Sequence, residues 1–281
     1  MKGGRQPRGY TVVETLIFLA VSSALFVSAY RLVSGQQAKA EFSYGTRELV
    51  SRIQDVMNDV STGYYYNADN FRCTAGASGP VAITPAATGD QGRNSGCIFI
   101  GRAIQFAPND TGSQESIRIY SIVGRRQAAS STRDVSSLAE AMPVPLSPRG
   151  GLPQVDVTET FPTPNNLVVK WARYNNGAGV SPATQTMTVG FFTNFSNGSL
   201  QKGSARNVDV IPIPGTQVSS SKATTGQAIF AATAPTVVNP SDGVDICVEN
   251  PSGGQHAILN IGGNKRQLNT DIAIKSGGCP A

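Results

Sequence analysis

Glu14 is the residue most in need of a chemical explanation, because Thr15 to Tyr30 after it carries no charged side chain. An ionisable group inside a membrane-length apolar run is expensive and usually has a task. Its carboxylate needs a partner, because burying an unpaired charge is costly, and no lysine or arginine lies within a turn of it from Tyr10 onward. Elsewhere, catalytic machinery is nearly absent. His256 is the only histidine, lies in a strand-like segment and has no nucleophile motif such as GxSxG beside it, so it reads as structural. Asp242, Asp245 and Glu249 are near one another in sequence, but their spacing completes no calcium-ligand pattern. Gly150-Gly151, Gly253-Gly254 and Gly262-Gly263 lack the following helix or lysine that a phosphate cradle requires. The expectation is a non-enzyme with no cofactor and no metal.

Four cysteines, Cys73, Cys97, Cys247 and Cys279, admit three pairings and contain no CxxC or Cys/His metal spacing. Sequence proximity favours Cys73 with Cys97 and Cys247 with Cys279. An export-like N terminus makes an oxidising compartment the natural setting for both bridges.

Composition bounds what must position these residues. Charged side chains make up 15% of the 281 residues while Gly and Pro number 30 and 17, the balance of a turn- and strand-rich chain. The formal charge of +5 includes Lys2, Arg5 and Arg8, all before Tyr10. Without them 20 basic side chains stand against 18 acidic ones, so the high pI is poor grounds for a nucleic-acid partner. From Tyr10 to Val33, with Glu14 and Arg31 as the exceptions, the apolar run is roughly 20 residues long, enough for a bilayer. A secretory signal peptide would need a shorter run and a small-residue cleavage site, for which Ala24 and Ser28-Ala29 are too loosely placed. It would also leave Glu14 unexplained. A single-pass anchor explains the length equally well, and Arg31 and Lys39 nearly offset the leader's basic residues, so orientation is weakly marked.

The basic leader, Gly9, the aromatic Tyr10, then Thr11-Val12-Val13-Glu14 and an uninterrupted apolar run resemble the class III signal of type IV prepilins and pseudopilins. The resemblance implies cleavage between Gly9 and Tyr10 by a membrane prepilin peptidase, which then methylates the new amino terminus at Tyr10. It implies that Glu14 meets the amine of a neighbouring subunit and sets register during assembly. The implied partners are other pilin or pseudopilin subunits, the peptidase, a membrane-embedded assembly platform, and membrane lipid before assembly. The departures are mild: phenylalanine is commoner than Tyr10, leucine is common where Val12 stands, and the proline that many members carry in the apolar stretch is missing.

Near the C terminus, Val244 to Val248 with Cys247, the turn Gly262-Gly263-Asn264 and then Lys265-Arg266 loosely resemble the end of H-type pseudopilins and related minor pilins. That likeness implies a C-terminal tail tied to the sheet by a disulfide. Some relatives use basic residues near this hairpin to bind DNA, which makes Arg125, Arg126, Lys265 and Arg266 the candidates for such a role. Solvated charges that limit edge-strand aggregation are the plainer reading.

After the apolar run, Phe42, Leu49, Ile53, Val56, Met57 and Val60 recur at helical spacing among charged residues. The pattern predicts one helix from Tyr10 to Thr62, about 53 residues and on the order of 80 Å long, ending near Gly63. Ser34-Gly35 and Gly45 are points where it could bend. Tyr64 to Gly96 reads as irregular, and Gln127 to Pro164 as loop with a short helix around Ser136 to Met142. Strands are expected at Cys97 to Phe106, with Ile98, Ile100, Ile104 and Phe106 on one face, and at Ser116 to Val123. Leu167 to Tyr174 and Thr186 to Phe195 form a possible hairpin across Asn175-Asn176-Gly177. Weaker strand candidates are Asn207 to Ile213 and Ala228 to Ala232, separated by the Ser/Thr-rich Ser219 to Thr225. Val244 to Val248, Gln255 to Ile261 and Lys265 to Ile274 follow.

The expected fold class is α+β and pilin-like: a long N-terminal helix, transmembrane in its first half, packed on an antiparallel sheet. The expected organisation is a leader over 1–9, a transmembrane half over 10–33, an amphipathic half over 34–63, and a β-rich globular domain over 64–281. The function expected is a minor or tip subunit of a type IV pilus or secretion-like filament in the cytoplasmic membrane, its globular domain outside the cytoplasm. The alternatives are a membrane-anchored exported binding protein or adhesin, and a DNA-uptake minor pilin with a basic surface.

Overall fold

A computed structural model of the chain describes residues 11–63, 71–76, 79–85, 96–108, 115–129, 131–148, 155–174, 185–193, 195, 208–216, 220–232, 244–252, 254–261 and 273–280. The chain divides into two units, Met1–Tyr44 and Gly45–Ala281. The first is helical from Val12 onward. The second is an α+β unit with antiparallel sheets.

Helix α1 runs Val12–Thr62 without interruption, through Gly35 and Gly45. It ends where the sequence placed the stop: Gly63 takes φ 70° and its N–H bonds to the Val60 carbonyl at 3.2 Å, a left-handed cap that glycine enters without strain. Leu49, Val50, Ile53, Val56 and Val60 are buried, whereas Met57 is only half-buried.

The expected single sheet is two sheets and a hairpin. Strands β1 (Phe71–Thr74) and β2 (Ala82–Pro85) pair with each other. They lie in a segment read from sequence as irregular, where each presents too few residues for a clear period. Phe71, Cys73, Val81 and Ile83 pack with Val123, Val144, Leu146, Val155 and Val157 in one apolar cluster. The six-stranded sheet contains β3 (Cys97–Phe106), β4 (Ser116–Arg125), β5 (Val144–Pro145), β6 (Glu159–Pro162), β9 (Thr188–Thr193) and β10 (Val208–Pro212). Its order is β10-β9-β3-β4-β5, with β6 also paired to β4. Both β5 and β6 fall in the stretch expected to be loop. They are short and proline-bearing, so they carry little periodic signal.

The five-stranded sheet has the order β13-β12-β11-β7-β8, from β7 (Val168–Tyr174), β8 (Gln185–Thr186), β11 (Val244–Glu249), β12 (Gln255–Ile261) and β13 (Ala273–Ser276). The predicted hairpin therefore holds only for β7 with β8, since β9 pairs β3 and β10 instead. Asn175, Asn176, Gly177 and the turn Gly262-Gly263-Asn264 lie outside the described residues.

A bulge between Phe99 and Gly101 in the β3–β4 ladder corrects the expected face. It sends Ile98 and Ile100 to one side with Ala103, Tyr120 and Ile122, where α2 (Leu138–Ala141) and α3 (Lys222–Ala232) cover them through Ala141, Ala228 and Ile229. Ile104 and Phe106, displaced by the extra residue, fall on the side of Arg102. That side meets α1, whose Asp59 lies 3.0 Å from the Arg102 guanidinium. The sheet is thus covered on both faces, and every residue of β4 and β9 is buried.

Residues 228–232 are helical in α3, not a strand. The Ser/Thr stretch supplies the helix start: the Thr224 N–H donates to Ser221 Oγ at 3.2 Å, a cap that frees the alanine-rich run to follow its helical propensity. The short helix expected around Ser136 to Met142 is α2, capped by Ser137.

Candidate functional site

The first turn of α1 is a reciprocal cap. The backbone N–H of Glu14 donates to Thr11 Oγ1 at 3.3 Å, and the Thr11 N–H and hydroxyl reach back to Glu14 Oε2 at 3.3 and 3.4 Å. Thr11-x-x-Glu14 is a capping box, in which the side-chain oxygen of each residue accepts from the backbone N–H of the other. The acidic charge also sits at the positive end of the helix dipole. Sequence reasoning looked for a cation and missed this partner, although the T-x-x-E spacing was the signal that finds it. Gly9 and Tyr10, where cleavage and methylation were expected, lie outside the described residues.

Beyond that turn, α1 is long and apolar enough to cross a bilayer. Val12, Leu16, Phe18, Leu25 and Phe26 all stand exposed, Phe26 at 74%. The hydroxyls of this stretch turn inward on the helix: Thr15 Oγ1 donates to the Val12 carbonyl and Ser28 Oγ to that of Ala24, each at 2.8 Å. Lipid or apolar side chains are the surroundings that such a surface suits.

The cysteines pair as proximity suggested, Cys73 with Cys97 and Cys247 with Cys279, each with Cα atoms 6.1 Å apart. The second bridge belongs to a larger fastening of the tail. The Cys279 N–H donates to Glu249 Oε1, whose carboxylate also meets Lys170 at 3.3 Å. Trp171 Nε1 donates to the Pro280 carbonyl at 3.1 Å, with the Arg173 guanidinium 4.1 Å from the indole centroid. His256 is buried, with Nδ1 3.0 Å from the Gly277 carbonyl, a structural contact. Asp245 accepts from Asn260 at 2.7 Å, and Asp242 lies outside the described residues. Among the described residues no group of three His, Cys, Asp or Glu side chains is placed to hold a metal.

No family model, curated protein or solved structure matches this chain.

Of the four basic candidates, Arg125 and Arg126 fall among the described residues. Arg125 is 4% exposed and its guanidinium donates to the Gly79 carbonyl at 3.0 Å. Arg126 is exposed, 4.0 Å from Asp134. Lys265 and Arg266 lie outside the described residues. Arg125 thus binds its own fold, and only Arg126 of this pair faces solvent.

Among the described residues of the Gly45–Ala281 unit, several polar groups tie elements of the fold together. Tyr120 Oη donates to Gln105 Oε1 at 2.6 Å, and Gln105 Nε2 donates to the Ser220 carbonyl at 2.7 Å, joining the six-stranded sheet to the start of α3. Arg133 meets Glu140 at 2.7 Å, and the Ser136 N–H donates to the same carboxylate at 2.8 Å. Hydrogen bonds from Arg133 and Ser136 hold the Glu140 carboxyl down to about 2. The arrangement offers an apolar helix with one carboxylate at its start, and a disulfide-stapled body.

Proposed function

We propose that the chain is a prepilin-like subunit, processed at Gly9–Tyr10 and assembled through α1 into a type IV pilus, secretion pseudopilus or related filament. The observation that carries this reading is the carboxylate of Glu14 at the head of an exposed apolar helix, just after a basic leader ending in glycine. While the chain is single, Thr11 donates to that carboxylate. In a filament the amine of a neighbouring subunit is the stronger partner, because it brings an opposite charge into a low-dielectric environment. The apolar side chains of α1 pass from lipid to the helices of other subunits. The α+β body, with sheets and two disulfides, would be the part carried outside the cytoplasm, and the pilin-like fold belongs to the same reading. The size of the body and its long connections favour a minor or tip position.

Mass spectrometry of the native N terminus tests the reading. A chain beginning at methylated Tyr10 supports it. An intact Met1, or cleavage beyond the apolar run, rejects it in favour of an unprocessed anchor or a secreted protein.

A further inference from the structure

One segment of the body follows α1 closely. Between β6 and β7 the chain makes a tight turn over Pro164–Asn166, in which Asn165 and Asn166 take φ of 50° and 56°. That turn lies against Gly45: a Cβ added there would stand 3.1 Å from the Pro164 carbonyl oxygen and 3.2 Å from Asn165 Cβ. Two helical turns on, the Arg52 guanidinium sits 5.4 Å from the Phe161 ring centroid. Two turns further, Asp59 and Glu159 share the buried Arg102, at 3.0 and 3.5 Å. Gly45, Arg52 and Asp59 are spaced by seven and so share one face of α1. Gly45 to Asp59 spans about 21 Å of helix, and an extended Glu159 to Asn165 spans about 20 Å. The two segments therefore run side by side over the same length, in opposite directions.

We propose that Glu159–Asn166 is a strap closed over the Gly45–Asp59 face of α1, latched by Arg102 and able to open as a unit while the five-stranded sheet stays intact. Three features mark it as releasable. Two consecutive non-glycine residues in the left-handed region hold the fold of the strap under strain. The latch holds a buried guanidinium between two half-buried carboxylates, and drawing that guanidinium out of water offsets much of what the pairing gains. Among the described residues the buried Arg102 Nε has no acceptor, and burial pushes the Asp59 carboxyl up against the opposing pull of Arg102. Finally, β6 holds only four ladder positions, all to β4. Regions with few cooperative ties open at lower free energy than the core. The strap operates whether or not the chain enters a filament.

Hydrogen exchange on the full chain in detergent micelles, with Glu159→Gln at the latch and Gly45→Ala at the far end, tests the proposal. Glu159→Gln is expected to speed exchange about tenfold in both 45–60 and 159–167, the factor that about 1.4 kcal/mol gives. Gly45→Ala, where helix propensity opposes the crowding against Pro164, is expected to change exchange in both segments together and in the same direction. Amides of β11 and β12 should keep their wild-type rates. Response of the two variants in different segments, an equal rise in the five-stranded sheet, or unchanged exchange overturns the strap. Should Glu159→Gln fail to fold, Gly45→Ala alone decides, since it too must move both segments together.

Discussion

Cutting the Cys247–Cys279 bridge by Cys279→Ala removes one covalent tie and leaves the tail's hydrogen bonds to Glu249, Trp171 and His256 in place. The bridge closes a loop with a sequence separation of 32. In the chain-entropy picture, freeing such a loop in the unfolded state costs about 3.7 kcal/mol of stability. Set against a typical stability of about 5–15 kcal/mol, the loss is large. With a urea dependence of roughly 2–3 kcal/mol/M, the unfolding midpoint should fall by about 1–2 M. Trp171 is the single tryptophan, and its indole N–H holds the Pro280 carbonyl, so its fluorescence reports on the tail as well as the fold. Urea titration of the full chain in micelles, followed by fluorescence and far-ultraviolet dichroism, gives both. A midpoint within about 0.3 M of wild type, with Cys247 shown to be a free thiol, refutes the reasoning: the loop would already be restrained when unfolded, or the hydrogen bonds would suffice.

Glu14→Ala should leave cleavage at Gly9–Tyr10 intact and abolish entry into filaments; a variant that assembles normally removes the role given to the carboxylate. Tyr120→Phe leaves Gln105 Oε1 buried without its donor and should cost about 1–3 kcal/mol in denaturant unfolding, with a neutral result refuting the importance of that bond. Glu140 should titrate at about 2 by carbon-detected NMR, and Arg133→Ala should return it toward 4.5. Because the folded state lowers this pKa, its contribution to stability is present above about pH 4.5 and is lost as pH falls toward about 2; an unshifted midpoint refutes the pairing.

Sequence pattern was informative where one face of an element meets one environment. The helix end at Gly63, strand β3 and strand β12 were legible because caps and alternation are local. Legibility failed where tertiary structure decides. The two faces of the six-stranded sheet are both covered, so a single inserted residue at the Phe99–Gly101 bulge moved Ile104 and Phe106 to the α1 side without leaving a polarity signal. Residues 228–232 carry apolar spacing that suits strand or helix, and the Ser221 cap settles it. At the helix start the T-x-x-E spacing marks the Thr11–Glu14 box, a local signal that stands beside the stronger one of an uncompensated charge in an apolar run. Arg125 looked like a surface charge because its acceptor, the Gly79 carbonyl, is 46 residues away in sequence.

Met187 stands between β8 and β9, where one extended run leaves the five-stranded sheet and enters the other. Its N–H goes to the Thr216 carbonyl at 3.1 Å and its own carbonyl receives the Phe106 N–H at 2.8 Å, so the crossing point is hydrogen-bonded on both sides. The two sheets therefore share a seam, unlike beads on a string. No cut of the backbone yields two self-contained halves, because β7 needs β11 from the far end of the chain while β9 needs β3 from before it. A nascent chain can complete the six-stranded sheet once Val208–Pro212 has been made, but the five-stranded sheet waits for β11, β12 and β13, which ties maturation of the body to synthesis of nearly its whole length.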